Sequence, residues 1–175
     1  MTRAIRIYEH GGPDVLRWDE VDPGTPGSGQ ALIRQTAAGL NFIDVYHRTG
    51  LYPVPAMPAI IGSEGAGVVE AVGDGVSEVH VGDRVAYCMS LGGYAEQRVI
   101  DAALLVRLPD NITDLQAAAM MLKGCTVQYL VRRIYPVKAG DTILLQAAAG
   151  GVGLIACQWA KHLGATVIGT VGSDE

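Results

Sequence analysis

This sequence has few cysteines, no run of like charges, and no basic stripe interleaved with aromatic residues. Its three cysteines, Cys88, Cys125 and Cys157, are widely spaced, which excludes a disulfide framework and a CxxC zinc site. We expect them to be buried thiols of a cytoplasmic protein. The net charge of −5, from 18 acidic and 13 basic residues, predicts no surface for nucleic acid or an anionic membrane.

A continuous apolar leader is also absent, because residues 1–10 alternate polar and apolar side chains. One segment, 143–160, is almost wholly apolar and about as long as a membrane span. Gly150, Gly151 and Gly153 interrupt it, so a short strand and a helix are predicted there rather than a transmembrane helix. With 49% hydrophobic residues in 175, the sequence is that of a globular protein.

The first hundred residues consist of short strand-like runs separated by glycine and proline. Three prolines in the segment 50–58 exclude a central strand or a helix interior, which predicts an ordered surface loop. The pattern indicates a compact β-barrel-like domain. Strands are predicted over residues 4–8, 15–18, 31–37, 65–73, 81–85 and 93–100, the fifth of them beginning with a turn.

From Asn111 onwards the pattern changes to helix formers and buried strands. A strand, a glycine turn, a helix and a second strand predict one βαβ unit with parallel strands and a right-handed crossover. Two domains follow from this change, over residues 1–122 and 123–175. The predicted helices cover 114–122, 126–134 and 151–163, and the predicted strands cover 141–147 and 165–171.

The sequence stops at Glu175, directly after the second of these strands. A nucleotide-binding sheet ordinarily needs further strands to bury both faces of a βαβ unit. We therefore expect the chain to be the amino-terminal part of a longer protein, and such a fragment to be inactive by itself.

The segment 147–153, Ala-Ala-Ala-Gly-Gly-Val-Gly, lies between the predicted strand and helix. Glycine permits a tight turn and a close approach of the main chain to a pyrophosphate, and the helix that follows directs free N–H groups at the phosphates. The segment therefore predicts a dinucleotide site, with a tight packing turn as the alternative.

The end of the next strand indicates which dinucleotide is bound. An NAD site places Asp or Glu there to bind the ribose 2′-hydroxyl, whereas this sequence has Val171. Gly172 and Ser173 are expected to accept a 2′-phosphate, although Asp174 and Glu175 lie nearby and oppose it. The sequence favours NADPH.

Several motifs, in this order, resemble those of the medium-chain dehydrogenase/reductase superfamily, and the similarity covers the whole chain. Within it the sequence is most similar to the zinc-independent quinone oxidoreductases, the zeta-crystallin-like branch. The resemblance implies a GroES-like β-barrel domain followed by the start of a Rossmann α/β doubly wound domain, with the active site in the cleft between them. The motifs are Gly39-Leu-Asn-Phe-Ile-Asp44, Gly62-Ser-Glu-Gly-Ala-Gly-Val-Val69, Val81-Gly-Asp-Arg-Val85, Gly93-Tyr-Ala-Glu96 and the glycine segment.

The resemblance also implies the site residues. Asn41, Tyr46 and Tyr52 are expected to line the cleft as catalytic residues, where amide and phenol groups orient the nicotinamide ring or the substrate oxygen. Thr126, expected to open the helix into the second domain, and Lys123 are candidates for contact with the cofactor. The implied cofactor-binding residues are Asn41, Lys123, Thr126, Ala149, Gly150, Gly151, Val152, Gly153, Gly172 and Ser173.

Zinc is not expected. Zinc alcohol dehydrogenases of the superfamily carry Cys where this chain has Asn41, and His where it has Ser63. An amide and a hydroxyl offer no thiolate or imidazole to a soft cation, and Cys125, near the region of the third ligand, cannot hold a metal alone. His47 and His80 have no partners at ligand spacing.

The predicted activity is hydride transfer from NADPH to a quinone, whose conjugated carbonyls need no Lewis acid. The alternatives are reduction of α,β-unsaturated carbonyls and a non-catalytic, NADPH- or RNA-binding crystallin-like role. The resemblance further implies a homodimer built on the edge of the Rossmann sheet. No general acid stands out, and solvent or a tyrosine is expected to protonate the product.

Each site residue also has a purely structural interpretation. Tyr46 and Tyr52 are alternatively packing aromatics, and Asn41 a residue that binds a turn. Lys123 is alternatively a solvated helix charge. Asp44 and Arg48, four residues apart, are alternatively an ion pair on a short helix, and Ser63 and Glu64 are turn and packing residues.

Overall fold

Within residues 1–173, which the computed structural model describes, the hydrophobic pattern is realised as ten strands and three α-helices. Backbone contacts divide the chain into two units, Met1–Met121 and Leu122–Glu175. The helices are α1 (Phe42–Thr49), α2 (Asp114–Tyr129) and α3 (Gly151–His162). The strands are β1 (Thr2–Ile7), β2 (Arg17–Val21), β3 (Gln30–Ala38), β4 (Ala59–Ile60), β5 (Glu64–Val72), β6 (Arg84–Cys88), β7 (Gln97–Asp101), β8 (Val106–Arg107), β9 (Thr142–Leu145) and β10 (Thr166–Gly169).

The first unit contains two antiparallel sheets, in the strand orders β7-β3-β5-β6-β8 and β2-β1-β4. Backbone hydrogen bonds join them, since Ile5 N–H donates to the Tyr94 carbonyl at 2.7 Å and Glu96 N–H donates to the Arg3 carbonyl at 2.8 Å. In the larger sheet, alternate side chains of β3, β5, β6 and β7 point into one core, as period-two alternation requires. That core contains Ala31, Ile33, Val69, Val79, Val85, Tyr87, Ile100, Ala102 and Leu105.

Several strand boundaries in this unit differ from the prediction; β6, for example, covers Arg84–Cys88 where 81–85 was predicted. Pro13–Val15 form a 3₁₀ turn, since proline fixes φ at a value suited to a helical start, and β2 begins only at Arg17. The predicted strand over 93–100 begins at Gln97 as β7. Strands β4 and β8 have only two residues each, too few to show the alternation of polar and apolar side chains from which a strand is predicted. Residues 50–58 are the loop that their prolines predict, without helix or strand.

Helix α2 is continuous where two helices were predicted. It begins after Thr113, whose hydroxyl accepts from Gln116 N–H at 3.2 Å, while the Gln116 side chain accepts from Thr113 N–H at 2.9 Å. Thr126 therefore does not open a helix, and the expectation that it does is wrong. Its hydroxyl instead donates to the Leu122 carbonyl one turn earlier, at 2.8 Å, a bond that lets threonine lie inside a helix. A π-helical turn, Leu130–Ile134, follows α2.

The start of α2 is bound to the larger sheet through Asp114. Thr36 Oγ1 donates to the carboxylate at 2.6 Å, and the Arg84 guanidinium donates to it at 2.6 and 2.9 Å. The hydrogen bond from Thr36, followed by the bond and charge of Arg84, lowers the pKa of the Asp114 carboxyl below its ordinary value.

The second unit contains the predicted βαβ arrangement. Strands β9 and β10 are parallel, and both are shorter than predicted. Helix α3 ends before Gly164, whose φ of +85° is the left-handed conformation that glycine favours. Of the described helices, none combines the length and the apolar character needed to cross a membrane. The core contains Val127, Val131, Val137 and Ala156, with Leu145, Val152, Ile155, Trp159, Leu163 and Ala165 packed against it.

The cysteines are less buried than expected. Cys125 is exposed, and Cys88 and Cys157 are half-buried. The prediction of buried thiols is therefore wrong, because Cys125 lies at an exposed position of α2, while Cys88, the last residue of β6, and Cys157 in α3 are only partly covered.

Candidate active-site and cofactor-binding residues

The glycine segment forms a tight turn from β9 into α3. Ala147 has a φ of +53°, in the left-handed region, and its carbonyl accepts from Gly150 N–H at 2.9 Å. Ala148 N–H donates to the carbonyl of Thr170, just beyond β10, at 2.9 Å. These bonds hold the turn against the ends of both parallel strands, where ligands bind in open α/β sheets.

Gly153 occupies a place that has no room for a side chain. A Cβ atom there would lie 2.6 Å from the Ala148 carbonyl carbon, so the first turn of α3 and the preceding loop touch through main chain alone. The first N–H groups of α3, from Gly151 to Gly153, have no partner within the helix and form its positive end. Close main-chain approach together with directed N–H groups fits the pyrophosphate of a dinucleotide.

Lys123 lies over this turn. A Cβ atom added to Gly151 would be 2.8 Å from Lys123 Cε and 2.9 Å from Cδ. The alkyl chain of the half-buried lysine therefore lies against the first residue of α3.

The remaining candidates of the second unit are exposed. Ala149 and Gly150 are on the surface of the turn, and Val152 is half-buried. Strand β10 ends at Gly169, and Val171, Gly172 and Ser173 beyond it are exposed, with no carboxylate between Gly169 and Ser173. Asp174 and Glu175, which the sequence identifies as unfavourable to a 2′-phosphate, lie outside the described residues.

A buried polar cluster in the first unit is built around Asn41, the residue that precedes α1. Asn41 Nδ2 donates to Glu64 Oε2 at 2.7 Å, and Asn41 N–H donates to Asp44 Oδ2 at 3.0 Å. Asp44 also accepts from Ser63 Oγ at 2.7 Å and from the Tyr94 hydroxyl at 2.9 Å. Asn41, Asp44, Ser63 and Glu64 are all buried, and Glu64 is completely inaccessible to solvent. These four residues and Tyr94 are referred to as the Asn41 cluster.

Burial, together with the two buried carboxylates of the Asn41 cluster, Asp44 and Glu64, raises the pKa of its phenol, Tyr94. Burial raises the pKa of Tyr94 well above its ordinary value, and the charge of Asp44, its hydrogen bond with Tyr94 and the charge of Glu64 raise it further. The Tyr94 hydroxyl therefore keeps its proton throughout the neutral range and serves as a donor to Asp44. Among the candidate groups it is a hydrogen-bond donor rather than a base.

Tyr46 and Tyr52, which follow Asp44 in the sequence, form an aromatic pair. Their ring centroids are 5.3 Å apart at an interplanar angle of 65°, and Tyr52 N–H donates to the Tyr46 carbonyl at 3.1 Å. His47 meets the Tyr52 ring edge-on, with centroids 6.2 Å apart. Tyr46 is half-buried and Tyr52 is exposed, so one ring anchors the pair and the other is accessible to a ligand.

Sequence reasoning missed the importance of Asp44, Ser63 and Glu64. The interpretation of Asp44 and Arg48 as an ion pair is wrong, because Asp44 is bound within the Asn41 cluster and Arg48 Nε donates to the Gly11 carbonyl at 3.2 Å. Asparagine followed three residues later by aspartate is a capping pattern and was the available signal for α1. Ser63 binds Asp44, 19 residues away in the sequence, and Glu64 binds Asn41, 23 residues away. No local sequence pattern reveals contacts over such separations.

The donor set at the expected metal position is unlike that of a zinc site. Asn41 and Ser63 contribute an amide and a hydroxyl, both directed at carboxylates. Within residues 1–173, no three or more His, Cys, Asp or Glu side chains are grouped so as to hold a metal ion.

Comparison with known proteins agrees with this architecture. Residues 27–110 match the alcohol dehydrogenase GroES-like domain. A quinone oxidoreductase of Pseudomonas aeruginosa is 54% identical over 176 residues, which cover 100% of this chain and 54% of the relative. A 2-haloacrylate reductase of a Burkholderia species is 47% identical over 182 residues, again covering 100% of this chain and 54% of the relative.

A solved structure of Escherichia coli quinone oxidoreductase complexed with NADPH superposes with a TM-score of 0.94 at 48% identity, covering 98% of this chain and 53% of that one. The chain thus spans about half the length of the relatives it matches. Its fold is a GroES-like domain followed by the first βαβ unit of a Rossmann domain, as the motifs predict. The chain is thus similar along its whole length to quinone oxidoreductases of the medium-chain dehydrogenase/reductase superfamily, and it contains the alcohol dehydrogenase GroES-like domain.

Proposed function

We propose that the complete protein is an NADPH-dependent quinone oxidoreductase. The observation that carries the proposal is the glycine turn between β9 and α3, in which Gly153 touches the preceding main chain without space for a Cβ atom. Such a turn between parallel strands is how Rossmann domains approach a pyrophosphate. The second unit accordingly holds the dinucleotide, with Ala149, Gly150, Gly151, Val152 and Gly153 around the phosphates and Lys123 beside them.

NADPH is proposed rather than NADH because no acidic side chain follows β10 up to Ser173. An aspartate or glutamate at that place would bind the ribose 2′-hydroxyl of NAD and repel a 2′-phosphate. Gly172 N–H and the Ser173 hydroxyl are the proposed donors to the 2′-phosphate. The E. coli relative, whose structure holds NADPH, supports this choice.

The first unit supplies the groups that orient the reactants. NADPH provides the hydride, so the side chains have to align the nicotinamide and the quinone and to exclude competing orientations. Tyr52, with its exposed ring against Tyr46, offers an aromatic surface for a planar quinone and a phenol hydroxyl for the quinone oxygen. Asn41 and Thr126 are the proposed contacts to the nicotinamide.

Quinone reduction suits this set of residues. The carbonyls of a quinone are conjugated and accept a hydride readily, and a hydrogen bond to the oxygen that becomes negative lowers the barrier. An amide at Asn41 and a hydroxyl at Ser63 are poor ligands for zinc, so the proposed reaction uses hydrogen bonds rather than a metal.

A second candidate function is reduction of an activated carbon–carbon double bond. The Burkholderia relative, named as a 2-haloacrylate reductase, is 47% identical. The same hydride donor and the same orienting groups serve an α,β-unsaturated carbonyl compound, in which the hydride is added to carbon instead. The two candidate functions therefore differ in the substrate that the first unit accepts, and not in the way the second unit holds NADPH.

Beyond the small-molecule substrate, we propose a homodimer in the cytoplasm. The dimer is proposed because the resemblance to the quinone oxidoreductases implies it. The location is proposed because the three cysteines are free thiols, as is usual in a reducing compartment. Light scattering of the complete protein tests the first, and fractionation of cells tests the second. A monomer, or recovery with membranes, contradicts the respective proposal.

The proposed function is tested by titrating the complete protein with NADPH and NADH while cofactor oxidation is followed with 1,4-benzoquinone, with an enone, or without acceptor. We expect turnover with NADPH and the quinone. Turnover with the enone alone favours the second candidate. Tight NADPH binding without turnover of either acceptor contradicts both enzymatic proposals.

The proposed catalytic residues are tested with Tyr52→Phe and Asn41→Ala in the complete protein. Each loses a hydrogen-bonding group, so kcat/KM for the quinone should fall by about fivefold or more. Tyr8→Phe is the matched control, because Tyr8 is 47% exposed and Tyr52 is 46% exposed. If both site variants stay within about twofold of wild type, the site assignment is wrong.

A further inference from the structure

We propose that Arg98 is a positioning residue for substrate specificity. Through Ser90 it fixes the four-residue loop 89–92 next to the Asn41 cluster, so that the exposed side chain of Met89 packs against the planar ring of a quinone. This inference rests on the proposed function, and it deepens that function by naming the residues that distinguish a quinone from a small open-chain enone.

The loop 89–92 begins and ends beside the segment that supplies Glu64 to the Asn41 cluster. It begins after Cys88, the last residue of β6, which pairs with Glu64 in the antiparallel ladder. It ends before Gly93, whose N–H donates to the Gly62 carbonyl at 2.9 Å. Both ends of the loop are therefore tied to the main chain of that segment, within the first unit.

Met89 has an unusual backbone conformation for its residue type. Its φ is +60°, in the left-handed region that favours glycine, and its side chain is 67% exposed. Among the described residues other than glycine, only Ala147 of the glycine turn shares a positive φ. A strained backbone persists only where surrounding contacts fix it, and such residues concentrate at ligand-binding sites. Met89 is thus an apolar group that the fold holds exposed, one residue from the partner strand of Glu64.

The contacts that fix this loop come from Arg98 of β7. One terminal nitrogen of its guanidinium donates to the Ser90 carbonyl at 3.0 Å, and the other donates to Ser90 Oγ at 2.9 Å. Two bonds from a rigid planar fork set the orientation of the bound residue as well as its distance. The residue next to Met89 is therefore held by its main chain and by its side chain.

The guanidinium of Arg98 is itself held by packing. Its Cζ atom lies 4.8 Å from the centre of the ring of Tyr87, a residue that is inaccessible to solvent. Gly92 approaches so closely that an added Cβ atom would be 3.2 Å from the same Cζ. Arg98 Nε is buried and has no hydrogen-bond partner in the part of the chain that the structure describes. An unsatisfied buried donor costs stability, so stability alone does not account for an arginine at this place.

The chemistry of Met89 favours a ring over a small acceptor. A thioether is polarisable, packs well against aromatic rings and has no charge. A quinone offers a flat conjugated ring to such a group, whereas a small open-chain enone offers much less apolar surface. Because Arg98 fixes the loop before the substrate arrives, contact with Met89 does not require the loop to be ordered at that moment, which would reduce affinity.

The test compares 1,4-naphthoquinone with methyl vinyl ketone as acceptors for the complete protein at saturating NADPH. The readout is the ratio of the two kcat/KM values, or kcat/KM for the quinone if wild type does not reduce the enone. Met89→Ala should lower this readout about five- to tenfold, mainly through the KM for the quinone. Met89→Leu keeps an apolar side chain of similar size and should stay within about twofold of wild type.

Variants of Arg98 test positioning. Arg98→Met should lower the same readout about threefold or more, because Met89 is then no longer fixed. Arg98→Lys keeps the charge without the planar fork, and its value should lie between those of Arg98→Met and wild type. When Arg98→Met is added to Met89→Ala, the readout should change by less than about twofold, because Arg98 acts through Met89.

A core variant separates positioning from loss of structure. Val79→Ala removes buried volume from the core of the same unit, so it should lower the unfolding temperature and leave the readout at the wild-type value. The Kd for NADPH, from a fluorescence titration, should stay within about twofold of wild type in every variant. A purely structural role of Arg98 would instead make the double variant lose activity beyond Met89→Ala.

The possible outcomes distinguish this inference from the proposed function. A wild-type readout in Met89→Ala, or an effect of Arg98→Met that persists in the double variant, overturns this inference alone. If Arg98→Met does not fold, Ser90→Ala replaces it, since this variant removes one of the two bonds, and an unchanged readout then overturns the role of Arg98. Wild type that reduces only the enone overturns this inference and favours the second candidate function. Wild type that reduces neither acceptor overturns the proposed function too.

Discussion

Replacing Gly153 with alanine tests the glycine turn directly. The added Cβ would lie 2.5 Å from the Ala148 carbonyl oxygen and 2.6 Å from its carbon. Both atoms belong to the main chain, so no side-chain rotation relieves the overlap. Restoring ordinary contact distances requires the turn and α3 to separate by roughly 1 Å.

This separation should harm ligand binding more than stability. Overpacking costs about 1–3 kcal/mol, and the better helix propensity of alanine offsets up to about 1 kcal/mol of it. A phosphate that loses one charge-assisted hydrogen bond from the first turn of α3 binds about 1.5–3 kcal/mol less tightly. We therefore expect the Kd for NADPH to rise at least about tenfold, while the free energy of unfolding falls by about 0–3 kcal/mol.

The assay is a fluorescence titration of the complete protein with NADPH, accompanied by thermal unfolding of the same sample. Lys161→Ala, exposed in the last turn of the same helix, is the control and should leave the Kd unchanged. A folded Gly153→Ala protein that binds NADPH within twofold of wild type refutes the reasoning, because the turn would then tolerate the displacement without losing its phosphate contacts.

Three other substitutions have expected outcomes. The hydrogen bond from Thr36 holds the folded-state pKa of Asp114 below its ordinary value, so its contribution to stability is present above about pH 4 and is lost as the pH falls further. Asp114→Asn should thus lower the free energy of unfolding at pH 7, and the difference from wild type should shrink as the pH falls below about 4; a constant difference would contradict this. Tyr94→Phe removes one of the three donors to buried Asp44 and should cost about 1–3 kcal/mol in urea unfolding, whereas an unchanged midpoint would mean that Asp44 finds another donor. Ala147→Gly relieves the backbone strain of a φ of +53° and should raise the free energy of unfolding by up to about 1 kcal/mol, measured as a higher unfolding temperature. A lower unfolding temperature would mean that the methyl group packs favourably.

The elements that sequence predicts well are those whose cause is local. Alternation predicts β3 and β5, and the prolines of residues 50–58 predict the loop. The glycine turn is predicted because Gly153 lies so close to the main chain of the preceding loop that no residue with a Cβ atom fits there. The continuity of α2 is mispredicted, because Gly124 and Thr126 weaken a helix locally while packing of Val127 and Val131 in the second core stabilises it.

The Asn41 cluster is the part of the site that local patterns do not reveal. Sequence identifies Asn41 through the family motif and suggests a cap by Asp44, but it provides no reason to join them to Ser63 and Tyr94. Those contacts arise from β-sheet pairing between distant segments, and their energetic importance depends on burial. Buried carboxylates are costly unless several donors surround them, a condition that only the folded chain satisfies.

The position of β1 has a consequence for the synthesis of the protein. Of the described strands, β1 leaves the ribosome before the others, yet its hydrogen bonds to Tyr94 and Glu96 join residues about 90 positions apart. At about 5–20 residues per second, translation needs roughly 5–20 s to supply those partners. During that interval one edge of β1 has unsatisfied main-chain groups, and a chaperone or a second nascent chain competes for them. Slowing translation between residues 20 and 90 should therefore increase aggregation more than slowing it after residue 100.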